Sequence, residues 1–134
     1  MRSLFGRNIE LREGELLQKE ADNRSYLDEL KSNALLQNFY QEAGLNQNFG
    51  SKLMAHTGWE DPSCQLRGHF LGHYLSACAM RYHETGDEEI LAKANHIVHE
   101  LKRCQIENGG LWAASIPEKY FYWIARGKQV WAPH

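Results

Sequence analysis

C-Q-L-R-G-H-F-L-G-H-Y-L-S-A-C-A, residues 64–79, is the stretch on which the fold turns. At helical spacing it has two faces. Phe70, Leu71, Tyr74, Leu75, Cys78 and Tyr82 recur as a core stripe. His69, His73, Ser76 and Met80 form a second line, three or four residues apart. Gly68 and Gly72 lie four apart, and an interior helix glycine costs about 1 kcal/mol relative to alanine. The pair therefore marks either close packing or the approach of a ligand.

On the C-terminal side, Thr85-Gly86-Asp87-Glu88-Glu89 reads as a turn leading into an acidic first helical turn, which suits the positive end of a helix. Ile90, Leu91, Ala94, Ile97, Val98, Leu101 and Cys104 then give the clearest periodicity in the chain. That helix ends near Gln105, before the breaker Asn108-Gly109-Gly110. Two long helices across a short turn predict an antiparallel αα-hairpin. A loop over Leu111–Pro117 follows, and then a short helix starting at Pro117 with Tyr120, Phe121 and Ile124.

On the N-terminal side, residues 45–66 form a loop longer than compact domains usually keep without a use for it. It carries His56, Trp59, Glu60 and Asp61, the edge of a binding cleft, and its Pro62-Ser63 offers a start for the central helix. Before it, the spacing predicts a short helix from Asn33 with Leu35, Leu36, Phe39 and Ala43 inward and Gly44 at the C′ position. An earlier helical pattern runs from Glu15 to about Lys31 through Leu16, Leu17, Ala21, Tyr26, Leu27 and Leu30, with Asn23 or Ser25 able to cap a restart. Residues 1–14 are polar and irregular, and no alternating strand pattern occurs. The expected class is all-α.

The chain has 134 residues, enough for one domain with a sizeable core. Its net charge of −2 gives no reason to expect nucleic acid or an anionic membrane as partner. No apolar run approaches the roughly 18 residues of a membrane span. The N-terminus lacks a continuous apolar signal segment, so the expected location is cytoplasmic, with an exported full-length parent left open. Cys64, Cys78 and Cys104 form no C-x-x-C pair and read as reduced, partly buried thiols. The helices come in pairs, and the final residues are rich in aromatics and proline. Both features suit a helical toroid that needs further pairs to bury its inner faces.

The run W-E-D-P-S-C-Q-L-R-G-H-F-L-G-H-Y-L-S-A-C-A (59–79) resembles the signature of glycoside hydrolase family 127, the β-L-arabinofuranosidase-like group. So do E-G-E-L-L and N-R-S-Y-L within 13–27, L-L-Q-N-F-Y-Q-E-A-G-L (35–45), T-G-D-E-E-I-L (85–91), E-L-K-R-C-Q (100–105) and G-K-Q-V-W-A-P (127–133). The resemblance implies an (α/α)6 barrel whose cavity takes a furanoside at the non-reducing end of an arabinose-containing oligosaccharide. It further implies a nucleophilic cysteine beside a zinc ion held by Cys and Glu, with another Glu as acid/base. Those motifs belong to later parts of the family's domain. None is carried onto Cys64, Cys78 or Cys104, so no catalytic residue, metal ligand or cofactor is expected here, and zinc is expected only in a complete domain. Residues 1–134 are expected to form an N-terminal fragment, a partial (α/α)6 barrel that is inactive alone.

Five residues are substrate-binding candidates: His69, His73, Trp59, Glu60 and Arg67. The two histidines are at the i, i+4 spacing of a shared metal, yet H-F-L-G-H lacks the glutamate of H-E-x-x-H and a third ligand. Polar lining of a sugar cavity and hydrogen-bonded helix packing are the alternatives. Arg67 is placed to hold Glu60 or Asp61, or to form a surface ion pair. Trp59, Trp112 and Trp131 either stack on sugar C–H faces or plug helix ends. Glu60 as a general acid is disfavoured, because glycoside cleavage usually needs two carboxyl groups at a set separation. The rival function is a non-catalytic helical module that binds sugar or self-associates through an inner face on Ile97, Leu101 or Tyr74.

Overall fold

A computed structural model describes residues 11–45, 57–113 and 115–129. The readings of His56, of Trp131 and of the final residues fall outside that set. Among the described residues there are five α-helices and no strand: α1 Glu15–Glu29, α2 Ser32–Glu42, α3 His69–Thr85, α4 Glu88–Glu107 and α5 Lys119–Ala125. A 3-10 turn, Gly58–Glu60, precedes α3. None of these helices is long and apolar enough to cross a membrane.

The short helix α2 lies at the centre. Leu35, Leu36, Gln37, Asn38, Phe39 and Tyr40 are all buried, so it is covered on every side. It packs on α3 and α4, and α3 and α4 pack on each other. Its end is a Schellman motif: the Gly44 amide donates to Gln41 O (3.3 Å) and the Leu45 amide to Tyr40 O (2.9 Å). Gly44 is at φ +69°, the left-handed conformation glycine adopts without strain, and occupies the expected C′ position.

The predicted αα-hairpin is present, with only Gly86 and Asp87 between α3 and α4. Leu71, Tyr74 and Cys78 are the buried residues of α3, and Ile90, Ile97 and Cys104 the buried apolar ones of α4. Tyr74 and Ile97 are 2% and 0% exposed and Leu101 packs against the same core, so these three do not form the open inner face expected of them. Val98, at 54% exposure, points away from the core despite its place in the apolar pattern. Buried Glu100 takes a core position instead. It accepts from Tyr40 Oη at 2.7 Å and pairs with Arg103 Nη1 at 2.5 Å.

Three boundaries differ from the sequence reading. α1 is one continuous helix with no restart at Asn23 or Ser25, and the Ser25 hydroxyl bonds back to Ala21 O within it. Leu16 and Tyr26 are exposed, leaving Leu27 as the buried residue of α1. α3 begins at His69 and not at Pro62-Ser63, because Gly68 stands at φ +87°, outside helical space. Residues 61–68 form successive turns, the first held by Asp61 Oδ1 accepting from the Ser63 amide at 2.8 Å.

The two glycines differ in their surroundings. A Cβ on Gly68 would overlap the Ser115 side chain and stand 3.2 Å from Phe39, so that glycine serves close packing. A Cβ on Gly72 would meet nothing within 4 Å. Gly68→Ala is expected to destabilise by about 2–4 kcal/mol, combining left-handed strain with overpacking. Gly72→Ala is expected to stabilise by about 0.5–1 kcal/mol through helix propensity. Paired thermal and urea melts of the two variants measure this.

The far end of α3 is fastened by charge. Asp87 caps α4 by accepting from the Ile90 amide (3.2 Å), and its other oxygen pairs with Arg24 Nε (3.2 Å) and Arg81 Nε (3.3 Å). Arg24 also reaches Glu89 and Arg81 reaches Glu20, which ties α1 to the hairpin. Burial pushes the Asp87 carboxyl up, but the Ile90 amide and the two guanidinium groups outweigh it and hold the group below its ordinary value. A depressed carboxyl stabilises the fold fully above the ordinary aspartate value of 3.8 and loses that contribution as pH falls through the lower folded value. Asp87→Ala is therefore expected to cost about 1–2 kcal/mol at neutral pH. The gap between wild type and variant should narrow in urea melts taken at progressively lower pH.

Candidate functional site

The start of α3, the loop after α4 and the first turn of α5 border an open-sided cavity of about 450 Å³, within the range of small-molecule sites. Buried Phe39 and Leu71 close its inner end, and exposed Gln65 and His69 stand at its rim. One wall is aromatic: Trp112, half-buried, stacks on Phe121 with centroids 5.4 Å apart and planes 29° from parallel. Gly72, bare of side chain, is also among its lining residues.

Arg67 builds this cavity from behind. Its side chain is 8% exposed, and the guanidinium donates from Nη2 to Glu42 Oε1 (2.7 Å), from Nε to Ser115 O (2.6 Å) and from Nη1 to Pro62 O (2.5 Å). The Ser115 hydroxyl returns a bond to Arg67 O at 2.8 Å. The partner is thus Glu42, at the end of α2, and not Glu60 or Asp61 as the sequence reading had it. Sequence spacing carried no cue, because Glu42 lies 25 residues away and Ser115 lies 48 away. The arrangement pins the loop that carries Trp112 to the start of α3.

Glu60 is buried in the 3-10 turn, and both its oxygens are engaged. Oε2 accepts from the Gly68 amide at 2.7 Å and Oε1 from the Phe70 amide at 2.8 Å. It supplies the acceptors that the side-chain-free N-cap Gly68 cannot, and its negative charge suits the positive helix end. Its backbone carbonyl in turn accepts from buried Asn38 Nδ2 at 2.8 Å. A carboxylate eight residues ahead of the N-cap matches no local capping pattern, which is why its role was not legible.

The five sequence candidates are distributed unevenly. His69 and Arg67 border the cavity, whereas Trp59, at 68% exposure, and Glu60 are not among its lining residues. His73 stands one helical turn from His69, also exposed, with the two Nε2 atoms 3.0 Å apart. Trp112, noted in the loop pattern, lies in the wall, and Phe121, Ser115 and Glu42 are contributors that the sequence alone did not single out.

The implied zinc centre finds no fit here. Among the described residues no three His, Cys, Asp or Glu side chains come close enough to hold a metal ion. Cys64, Cys78 and Cys104 are free thiols, and the latter two are fully buried. Burial pushes the Cys104 thiol up to about 11 and the Cys78 thiol up as well, away from the thiolate that a nucleophile or ligand requires.

The molecule is thus an all-α chain built on a helical hairpin, with an aromatic-walled cavity at the hairpin's open end. The family model of the β-L-arabinofuranosidase GH127 catalytic domain matches residues 8–134, and the chain belongs to that family. No curated protein and no solved structure matches it.

Breaking a buried ion pair from one side costs about 3–5 kcal/mol, because the remaining charge stays unpaired. Arg67→Met is expected to fall in that range, and Arg67→Lys to recover less than about half of it, since an ammonium has no planar fork to span three acceptors. Urea denaturation followed by tryptophan fluorescence reads the loss.

Proposed function

We propose that this chain supplies the N-terminal helices of an (α/α)6 barrel in a GH127 catalytic domain, and that its cavity forms one side of the site for a terminal L-arabinofuranosyl unit. The observation that carries the reading is an aromatic-walled cavity of about 450 Å³, with a histidine at its rim, in a chain that belongs to this family. Trp112 offers its indole face to sugar C–H groups, and His69 offers a ring nitrogen to a hydroxyl. Arg67 acts by positioning Trp112, and Glu60 by fixing the start of α3 that bears His69.

On this reading the 134-residue chain binds arabinose-containing oligosaccharides weakly and does not hydrolyse them. Family resemblance assigns the nucleophile, the acid/base and the zinc ligands to other segments. Incubation with an aryl L-arabinofuranoside is expected to release no arabinose above buffer. Titration with an arabinose oligosaccharide is expected to change Trp112 fluorescence, and Trp112→Phe should abolish that change. Robust release of arabinose that is indifferent to zinc-free buffer would overturn the assignment.

One observation favours a second reading, a self-associating module. Leu111 is 76% exposed, and Tyr122 and Ile124 of α5 are 54% and 44% exposed, beside the same cavity wall. Covering these side chains with a second copy would bury them. Light scattering together with a thermal melt separates the readings: a cooperatively melting species of defined size, monomer or dimer, supports the module, and a molten or aggregating species supports the barrel segment.

A further inference from the structure

The helix α1 meets the rest of the molecule with little apolar contact. Its inward line is Glu20, Arg24 and Leu27, at i, i+4 and i+7, and among the described residues Leu27 is the one buried side chain of the helix. What fastens the helix is charge. Glu20 pairs with Arg81 of α3, and Arg24 pairs with Asp87 at 3.2 Å and with Glu89 of α4. Towards the other end, the Lys93 ammonium of α4 donates to the carbonyls of Leu27 (3.2 Å) and Asp28 and stands 3.8 Å from the Asp28 carboxylate. Tyr74 Oη also donates to Leu27 O, at 2.9 Å. The last turn of α1 holds no cation of its own, so Lys93 serves the negative end of its dipole from outside.

We propose that α1 is an electrostatic strap, held on the α3–α4 hairpin by ion pairs and released from it by salt while α2, α3 and α4 stay folded. The side chains of Glu20, Arg24 and Asp28 keep 32%, 28% and 57% exposure, so mobile ions reach the pairs they form. The screening length falls from about 30 Å at about 10 mM salt to about 3 Å at about 1 M. Salt does not weaken apolar burial, but that burial is confined to Leu27. The hinge is equally short: Leu30 and Lys31 alone separate α1 from α2, and both are extended. A turn about these two residues moves α1 and leaves α2 in its place. A helix of 15 residues is marginal in water, so the released strap loses its helicity as it leaves.

The seat that α1 vacates contains a reporter. Cys78 is fully buried beside Tyr74 and Lys93, the two side chains that bond Leu27 O. Cys104 is fully buried elsewhere, beside Tyr40 of α2 and Glu100 of α4, and stays covered when α1 departs. Leu27, Tyr74, Cys78 and Lys93 do not line the aromatic cavity, and the strap does not depend on the sugar-binding reading.

The full chain is followed by hydrogen exchange and by iodoacetamide alkylation, both read peptide by peptide in a mass spectrometer, in about 10 mM and about 1 M NaCl. On going to high salt, exchange of the α1 amides and alkylation of Cys78 are each expected to rise about tenfold, while the middle of α4 and Cys104 change by less than about twofold. The double variant Glu20→Gln, Arg24→Gln is expected to bring Cys78 alkylation in low salt to the high-salt level of wild type, with the far-UV signal of the hairpin retained. Lys19→Gln changes the charge of α1 away from its inward line and is expected to leave both readouts unaltered. Exchange of α1 that ignores salt, exposure of α1 and α4 together, or faster α1 exchange with Cys78 still protected would each overturn the strap.

Discussion

The Arg67 guanidinium stands where three separate stretches of chain meet, and its position explains why the cavity exists at all. One planar cation reaches a carboxylate at the end of α2, a carbonyl in the turns before α3 and a carbonyl in the loop after α4. Removing such a charge from water is costly, and only a nearly complete set of acceptors offsets the loss. Arginine meets that demand because its donors lie in one rigid plane. The Ser115 hydroxyl completes the contact by donating back to the Arg67 carbonyl, and the side chain that does so is the one that leaves no room for a Cβ on Gly68. Arg67, Gly68 and Ser115 therefore act as a unit, and substitutions among them should not add independently.

The helix α3 is held by polar contacts at both ends and by apolar packing between them. At its start, Glu60 accepts from two otherwise orphaned amides. At its finish, Asp87 joins two arginines and caps the next helix. The intervening core contacts of Leu71, Tyr74 and Cys78 set which face looks inward. The polar contacts set where the helix begins and ends, and so where His69 stands relative to Trp112. Position at the cavity is thus governed by charge and hydrogen bonding more than by hydrophobic burial.

The helices themselves were legible in the sequence, because periodicity and local caps carry the signal. The α3–α4 hairpin, the Gly44 motif and the breaker after α4 all follow from residues within one or two turns of the feature they define. The resemblance of residues 59–79 to a glycosidase family was legible too, and the matched family bears it out. What remained hidden is what depends on long separations. The pattern included Val98 because valine fits the spacing, whereas Glu100 takes an interior place through Tyr40, 60 residues away. The start of α3 moved to His69 because a left-handed Gly68 breaks what looked like an uninterrupted helix. Arg67 chose Glu42 over the nearer Glu60, whose two oxygens already serve backbone amides. Trp59 looked like a cavity tryptophan by its loop position, while the cavity wall drew on Trp112 and Phe121 across the fold.

The two-residue link between α3 and α4 also bears on how the chain assembles. Contacts across that link are local, and local contacts form early because little chain entropy is lost in closing them. The bonds between Arg67 and Ser115 span 48 residues and join the hairpin to a segment whose last helix, α5, has no buried residue. That segment belongs to the low-stability end of the molecule. The order of assembly is then hairpin first and cavity last, and on partial opening the aromatic wall leaves before the hairpin does. Solvent-exchange protection would then be higher in the middle of α4 than around Trp112, so the cavity can vanish while the helices of the hairpin persist.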